Sequence, residues 1–283
     1  MKEIKETLMH VLFLLTACVS ILAVVLICIF MFANGIPAIA EIGPMKFLLG
    51  QQWKPNNGQF GIFPMIIGSI YVTVGAIIVG VPIGFFAAVY MAKFCSPKVY
   101  RFVKPAIELM AGIPSIVYGF FGLVVLVPIM QDVFGGGGKN VLTASILLGI
   151  MILPTIISVA ESNIRAVPES YYEGSLALGA TPERSVFSAV LPGAKSGILA
   201  GIILGIGRAI GETMAGIRVA GNQPIIPQSP LYGVRTLTAN IVMEMGYATD
   251  LHRDALIATA VVLFVLILIL NSCCSALQRK GDK

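Results

Sequence analysis

The chain has 283 residues, 57% of them apolar and 12% charged, and its mean hydropathy is +0.91. That charged share is about half of what soluble domains carry, too little to cover a globular surface, so a soluble enzyme, a disordered chain and a coiled coil are excluded in favour of a polytopic membrane protein. The net charge of +5 comes from 19 Lys and Arg dispersed along the chain, which argues against nucleic acid as a partner.

A membrane-spanning helix takes about 20 mainly apolar residues, and six segments qualify: 11–33, 62–92, 105–130, 141–160, 193–217 and 255–277. The first follows Lys2 and Lys5 and precedes Ala38-Ile39-Ala40, but its apolar core is too long for a signal peptide. It is predicted to stay as a peripheral helix facing lipid. The second carries Gly80, Pro82 and Gly84, which predict a tilt or kink. Inside the third, Ala111-Gly112-Ile113-Pro114-Ser115 breaks the helix and either makes a packing kink or offers an anion the donors of its amides and of Ser115. Gly135-Gly136-Gly137-Gly138-Lys139-Asn140, before the fourth span, lacks the first glycine and the Ser or Thr of a nucleotide loop, and reads as a flexible turn.

Lys and Arg divide by side. Lys2, Lys5, Lys93, Lys98, Arg101, Lys104, Arg165, Arg184, Lys195, Arg279, Lys280 and Lys283 fall on one side, and Lys46, Lys54, Lys139, Arg218, Arg235 and Arg253 on the other. By the positive-inside rule the first side, with both termini, is cytoplasmic.

Residues 161–193 lie on that side and are too patterned for a plain turn. Pro168-Glu169 opens one short helix, Leu176 and Leu178 give it an apolar side, and Gly179 ends it. Thr181-Pro182-Glu183 starts another at N-cap, N1 and N2. Composition alone leaves room for an amphipathic loop resting on lipid headgroups.

Ionisable groups inside a membrane cost several kcal/mol, so each is a functional candidate. Glu108, Arg208 and Glu212 are the three. On a continuous fifth helix Arg208 and Glu212 are an i,i+4 pair on the same face as Gly193, Gly197, Gly201 and Gly205, where another helix can approach closely. The pair either pins helices together or handles a charged cargo. Glu108 also reads as a first-turn acid favouring a helix N-terminus. His10 and His252, at opposite ends of the chain, and five dispersed cysteines offer no metal-ligand set.

Glu173-Gly174-Ser175, Gly179 and Ala189-Val190-Leu191-Pro192 have the spacing of the EAA loop of ABC importer permeases, with Gly174 and Ser175 replacing two alanines and Ala189 an isoleucine. Residues 108–123, ELMAGIPSIVYGFFGL, and 205–215, GIGRAIGETMA, resemble phosphate-specific ABC importer permeases of the PstC type. The resemblance runs through about 61–277, and Arg218 stands where an apolar residue would be expected.

That resemblance implies an all-α integral membrane protein with six transmembrane helices, a type I ABC importer permease fold, and cytoplasmic coupling helices. It implies a peripheral helix and external loop at 1–60, a permease domain at 61–277 and a cytoplasmic tail at 278–283. The chain would pass inorganic phosphate across a bacterial or archaeal cell membrane as a multi-pass subunit. It would bind no cofactor or metal and would have no ATPase site of its own.

The implied partners are a second permease subunit of PstA type, two cytoplasmic ATPase subunits that use the ATP, and an extracytoplasmic phosphate-binding protein. Glu173, Gly174, Ser175, Gly179, Leu191 and Pro192 would form the ATPase coupling loop. Arg208, Glu212, Ser115 and Glu108 would line the substrate pathway, with the guanidinium fork of Arg208 suiting a tetrahedral oxyanion. The alternatives are the PstA-type subunit itself, or a permease for another oxyanion or small solute. An intramembrane enzyme is disfavoured because Asp132, Asp250, Asp254 and Asp282 all lie outside the spans and no histidine is placed to activate a serine.

Overall fold

A computed structural model describes residues 2–281. Met1 and the end of the predicted tail, Asp282 and Lys283, lie outside the described residues, as do the side chains of Lys2, Lys5, Arg279 and Lys280. The helices are α1 (Lys2–Ile42), α2 (Pro44–Leu49), α3 (Phe63–Val89), α4 (Pro97–Gly112), α5 (Ser115–Phe121), α6 (Val127–Phe134) and α7 (Val141–Ala166). They continue with α8 (Glu169–Ala177), α9 (Pro182–Ser185), α10 (Leu191–Gly193), α11 (Lys195–Gly211), α12 (Met214–Val219), α13 (Leu237–Glu244) and α14 (Asp250–Gly281). A small hairpin, β1 (Trp53–Lys54) and β2 (Gln59–Phe60), pairs Trp53 with Phe60.

Five stretches are long and apolar enough to cross a membrane: Met9–Ile42, Phe63–Phe94, Ser115–Phe134, Val141–Ala166 and Asp250–Cys273. Pro182–Gly193 and Lys195–Gly211, bent by 74° against each other, make a sixth, broken span. The protein is therefore multi-pass, with the element order that composition predicts. Two boundaries differ. The third span begins at Ser115, not at 105, because α4 is a separate amphipathic helix. Ser96 accepts a hydrogen bond from the Val99 amide and Pro97 occupies its first turn. Ile107 is buried there while Lys98, Arg101 and Glu108 are exposed. The helix of the fifth span ends at Gly211, not at 217.

The central element is α7, whose most apolar window is two-thirds buried. Its neighbours approach it through glycines. A Cβ at Gly80 would sit 2.7 Å from the Gly149 carbonyl oxygen, and one at Gly84 2.9 Å from Ile156. On α11 the predicted glycine stripe does the same: a Cβ at Gly205 would lie 2.8 Å from Ile156, and one at Gly201 3.1 Å from Val159. No break interrupts α3 at Pro82. The first span has its most apolar window unburied within the chain. It meets α14 closely at Gly35, where a Cβ would be 2.6 Å from Val261. At the far end from α4 and α8, Phe47, Trp53, Phe60, Ile62 and Met65 pack on Leu237 and Leu256 to form a cap.

Candidate functional site

The break after α11 shapes the first candidate site. Gly211 is its last helical residue, and Glu212 is extended, with φ −71° and ψ 129°. The predicted i,i+4 pair therefore does not form: among the described residues no ion pair joins Arg208 to Glu212. Instead the Arg208 guanidinium donates to the Thr155 hydroxyl of α7 at 3.2 Å. The Glu212 carboxylate accepts from the amides of Thr213 and Ala215, both at 3.1 Å, and so caps the first turn of α12. Its carbonyl takes a third bond, from Thr238 at 3.2 Å. Arg208 stays half-buried, with much of its donor fork unspent on the chain itself.

Of the other predicted pathway residues, Ser115 opens α5, half-buried, at the second break. Tyr118 spans that break by donating to the Met110 carbonyl at 2.9 Å. A Cβ at Gly119 would lie 2.9 Å from Ala215, so α5 rides on α12 just beyond Glu212. Glu108 lies outside the candidate membrane spans. It lies on α4 with its side chain 62% exposed, 4.0 Å from Lys104. The structure thus places Arg208 and Glu212 at one helix break and Ser115 at another, the two linked by packing of α5 on α12, with Glu108 on α4.

The patterned loop forms as its caps predict. Gly179 takes φ +88° between α8 and α9, a left-handed conformation that favours glycine. Nothing lies within 4 Å of a Cβ built there, so backbone conformation, and no clash within the chain, sets the requirement. Thr181 accepts from the Arg184 amide. Leu191 is buried against α3, α4 and α7 while Pro192 is exposed. Glu173 and Gly174 are exposed and Ser175 half-exposed. Leu178 is 91% exposed, and Tyr171 and Phe187 are exposed on the same short segment. Apolar side chains displayed on a polar loop mark a contact surface.

Two buried carboxylates escape sequence reasoning. Glu161, 2% exposed, accepts from Tyr100 at 3.0 Å, from Lys104 at 2.9 Å and from Arg165. Burial and the bond to Glu161 push the Tyr100 hydroxyl pKa up. Burial opposes the Lys104 charge, but the bond to Glu161 and its negative charge outweigh this, and the Lys104 pKa is raised. On the opposite face Glu244 accepts from Trp53 at 2.8 Å, Arg235 at 2.5 Å and His252 at 2.9 Å. The predicted fourth span stops one residue short of Glu161, and Tyr100, Lys104 and Trp53 are far from the acids in sequence. A weak signal existed for Glu161, since Lys104 and Arg165 are both basic residues at the same membrane border.

Residues 80–280 match the family described as binding-protein-dependent transport system inner membrane component. The chain belongs to that family. Among curated relatives, this inner membrane component is 36% identical over 262 residues to the probable ABC transporter permease protein YqgH of Bacillus subtilis, covering 89% of this chain and 85% of the relative. It is 34% identical over 275 residues to the phosphate transport system permease protein PstC of Mesorhizobium japonicum, covering 89% and 84%. PstC of Pasteurella multocida is 32% identical over 258 residues, covering 84% and 81%. Among solved structures, an inward-facing MetNI methionine ABC transporter superposes with TM-score 0.66 at 19% identity, covering 82% of this chain and all of that one. A bacterial ABC transporter importing the acidic polysaccharide alginate gives TM-score 0.62 at 14% identity, covering 95% and 96%. The inner membrane component therefore has the type I ABC importer permease fold.

Proposed function

We propose that this chain is the permease subunit of an ABC importer that moves inorganic phosphate across the cell membrane. The observation that carries the reading is its likeness, over nearly the whole chain, to proteins named as phosphate transport system permeases. Arg208 supplies matching chemistry. Its partly unspent planar fork, beside a helix break in the middle of the fold, can bond a tetrahedral oxyanion through two oxygens. In this reading the Ser115 hydroxyl and the amides of the second break add donors, and Glu212, bound by amides, holds the break open. Residues 61–277 act as the permease unit.

The chain would work with a PstA-type permease, two ATPase subunits and an extracytoplasmic phosphate-binding protein. ATP would be used by the ATPase subunits, with both termini and α8 on their side of the membrane, as the distribution of Lys and Arg supports. Tyr171, Leu178 and Phe187, with Glu173 between them, would meet an ATPase groove. The test is co-purification with co-expressed neighbours, followed by uptake in proteoliposomes loaded with ATP. Phosphate accumulation dependent on both ATP and binding protein is expected. Uptake of sulfate or molybdate in place of phosphate would reassign the cargo, and absence of an ATPase partner would contradict the importer reading.

A further inference from the structure

The three donors on Glu161 come from two elements, and their further contacts reach a third and a fourth. Tyr100 and Lys104 belong to α4, while Arg165 lies one turn beyond Glu161 on α7. Arg165 also stacks on the Tyr100 ring, 4.4 Å from its centroid, and donates to the Met91 carbonyl at 2.7 Å. Met91 sits in the wide turn Tyr90–Phe94 that ends the second span. Two residues on, Lys93 pairs with Glu169 of α8 at 2.8 Å and lies over the Tyr172 ring. Glu161 thus joins α4 to α7 and, through Arg165, to the end of α3, beside which the Lys93–Glu169 pair ties α8.

The other end of α4 reaches the site. Its Met110 carbonyl accepts from Tyr118 across the 111–115 break, and α5 then packs at Gly119 on Ala215, three residues past Glu212. A displacement of α8 therefore has a continuous run of hydrogen-bonded and close-packed contacts to both helix breaks. The Glu161 knot is where that run crosses between separate helices. Such a knot is more than burial requires: a buried carboxylate is costly, and an apolar contact between α4 and α7 would hold the same fold.

We propose that Glu161 is a positioning residue for transport, locking α4 to α7 and, through Arg165, to the end of α3, so that movement of the coupling loop, tied there by Lys93 and Glu169, is delivered to the 111–115 and 212–213 breaks. The inference rests on the importer reading above. It concerns the efficiency with which ATP hydrolysis is converted into passage, and a contiguous route gains the status of a coupling pathway only through a measured coupling.

The experiment uses the complete complex in proteoliposomes and reads ATP hydrolysis, phosphate uptake and the amount of assembled complex together. For Glu161→Gln, we expect assembly and ATP hydrolysis to persist while phosphate carried per ATP falls roughly tenfold. Lys104→Met should act in the same direction and Lys104→Arg should restore the ratio. If uptake and hydrolysis fall together in proportion to assembled complex, or if the ratio is unchanged, Glu161 is only a packing residue and the inference is wrong. Should Glu161→Gln fail to insert, Lys104→Met against Lys104→Arg decides the same question.

A readout independent of cargo separates this inference from the phosphate reading. Spin labels at the exposed positions 98 and 137 should report an ATP-driven displacement of α4 in the wild-type complex, and a much smaller one in Glu161→Gln. A wild-type complex that hydrolyses ATP and moves α4 but takes up no phosphate would refute the cargo alone. Equal displacement in wild type and Glu161→Gln would refute the knot alone.

Discussion

Glu244 and Arg208 make opposite use of charge. The Glu244 carboxylate is buried and met by Trp53, Arg235 and His252. Arg235 is in turn bonded to the Asn222 carbonyl and the Asn240 side chain. Arg208 has Thr155 as its hydrogen-bond partner among the described residues and remains half-buried. A buried carboxylate met by three donors fixes structure, because removing it strands them. A cation with spare donors at a helix break has hydrogen bonds left to give an anion. The difference separates the joint of the cap from the proposed passage site, although both are built on buried or half-buried ionisable side chains.

The comparison breaks most visibly if Glu244 proves dispensable. Glu244→Leu should destabilise the subunit by about 3–5 kcal/mol, since Arg235 and the Trp53 indole lose their acceptor. Detergent-extracted subunit should aggregate at markedly lower temperature. Because Trp53 is the sole tryptophan in the sequence, its fluorescence should change as the cap loosens. An unchanged melting profile would remove the cap cluster from the list of structural joints.

A smaller effect tests a position where backbone, and not charge, is decisive. Gly179 is left-handed with open space around it, so residues should rank by tolerance of positive φ. Gly179→Asn should retain more ATPase association than Gly179→Ala, and Gly179→Val least, with about 1 kcal/mol separating the first two. Co-purified ATPase per permease measures the order. Equal association across the series would leave the loop as a surface resting on lipid.

The smallest perturbation is single-cysteine labelling of sidedness. Positions 98 and 173 should react from the cytoplasm, and 56 and 137 from outside. All four are exposed, unlike 50 and 138, where a Cβ would meet backbone. Labelling of 173 from outside would invert the topology and remove the docking loop with it.

What the sequence showed and what it hid follow from range. Caps and turns are local, so Thr181, Gly179 and the start of α8 at Glu169 were legible, as was the glycine stripe facing α7. The i,i+4 pairing of Arg208 and Glu212 failed because helical periodicity was carried through Gly211-Glu212-Thr213, where a glycine and two residues suited to capping end the helix. Glu108 falls outside the candidate spans for a related reason. Ser96-Pro97 already starts a helix there, and the polar residues Lys98, Arg101, Lys104 and Glu108 give α4 a face that lipid would not accept. Arg165, Arg235 and His252 lie 4 to 9 residues from their acids, but Tyr100, Lys104 and Trp53 lie 57 to 191 residues away, and no local pattern encodes those pairings.

The central claim is that Arg208 contacts the passing anion through its fork and does not merely balance Glu212. With the two side chains unpaired, exchanging them no longer distinguishes the roles, but a change of cation shape does. Phosphate uptake by the reconstituted complex carrying Arg208→Lys, normalised to assembled subunit, is the direct measurement. The account predicts normal assembly with uptake reduced roughly tenfold or more, the loss expected when one charge-assisted hydrogen bond of a bidentate set is gone. Near-normal uptake by Arg208→Lys would contradict it.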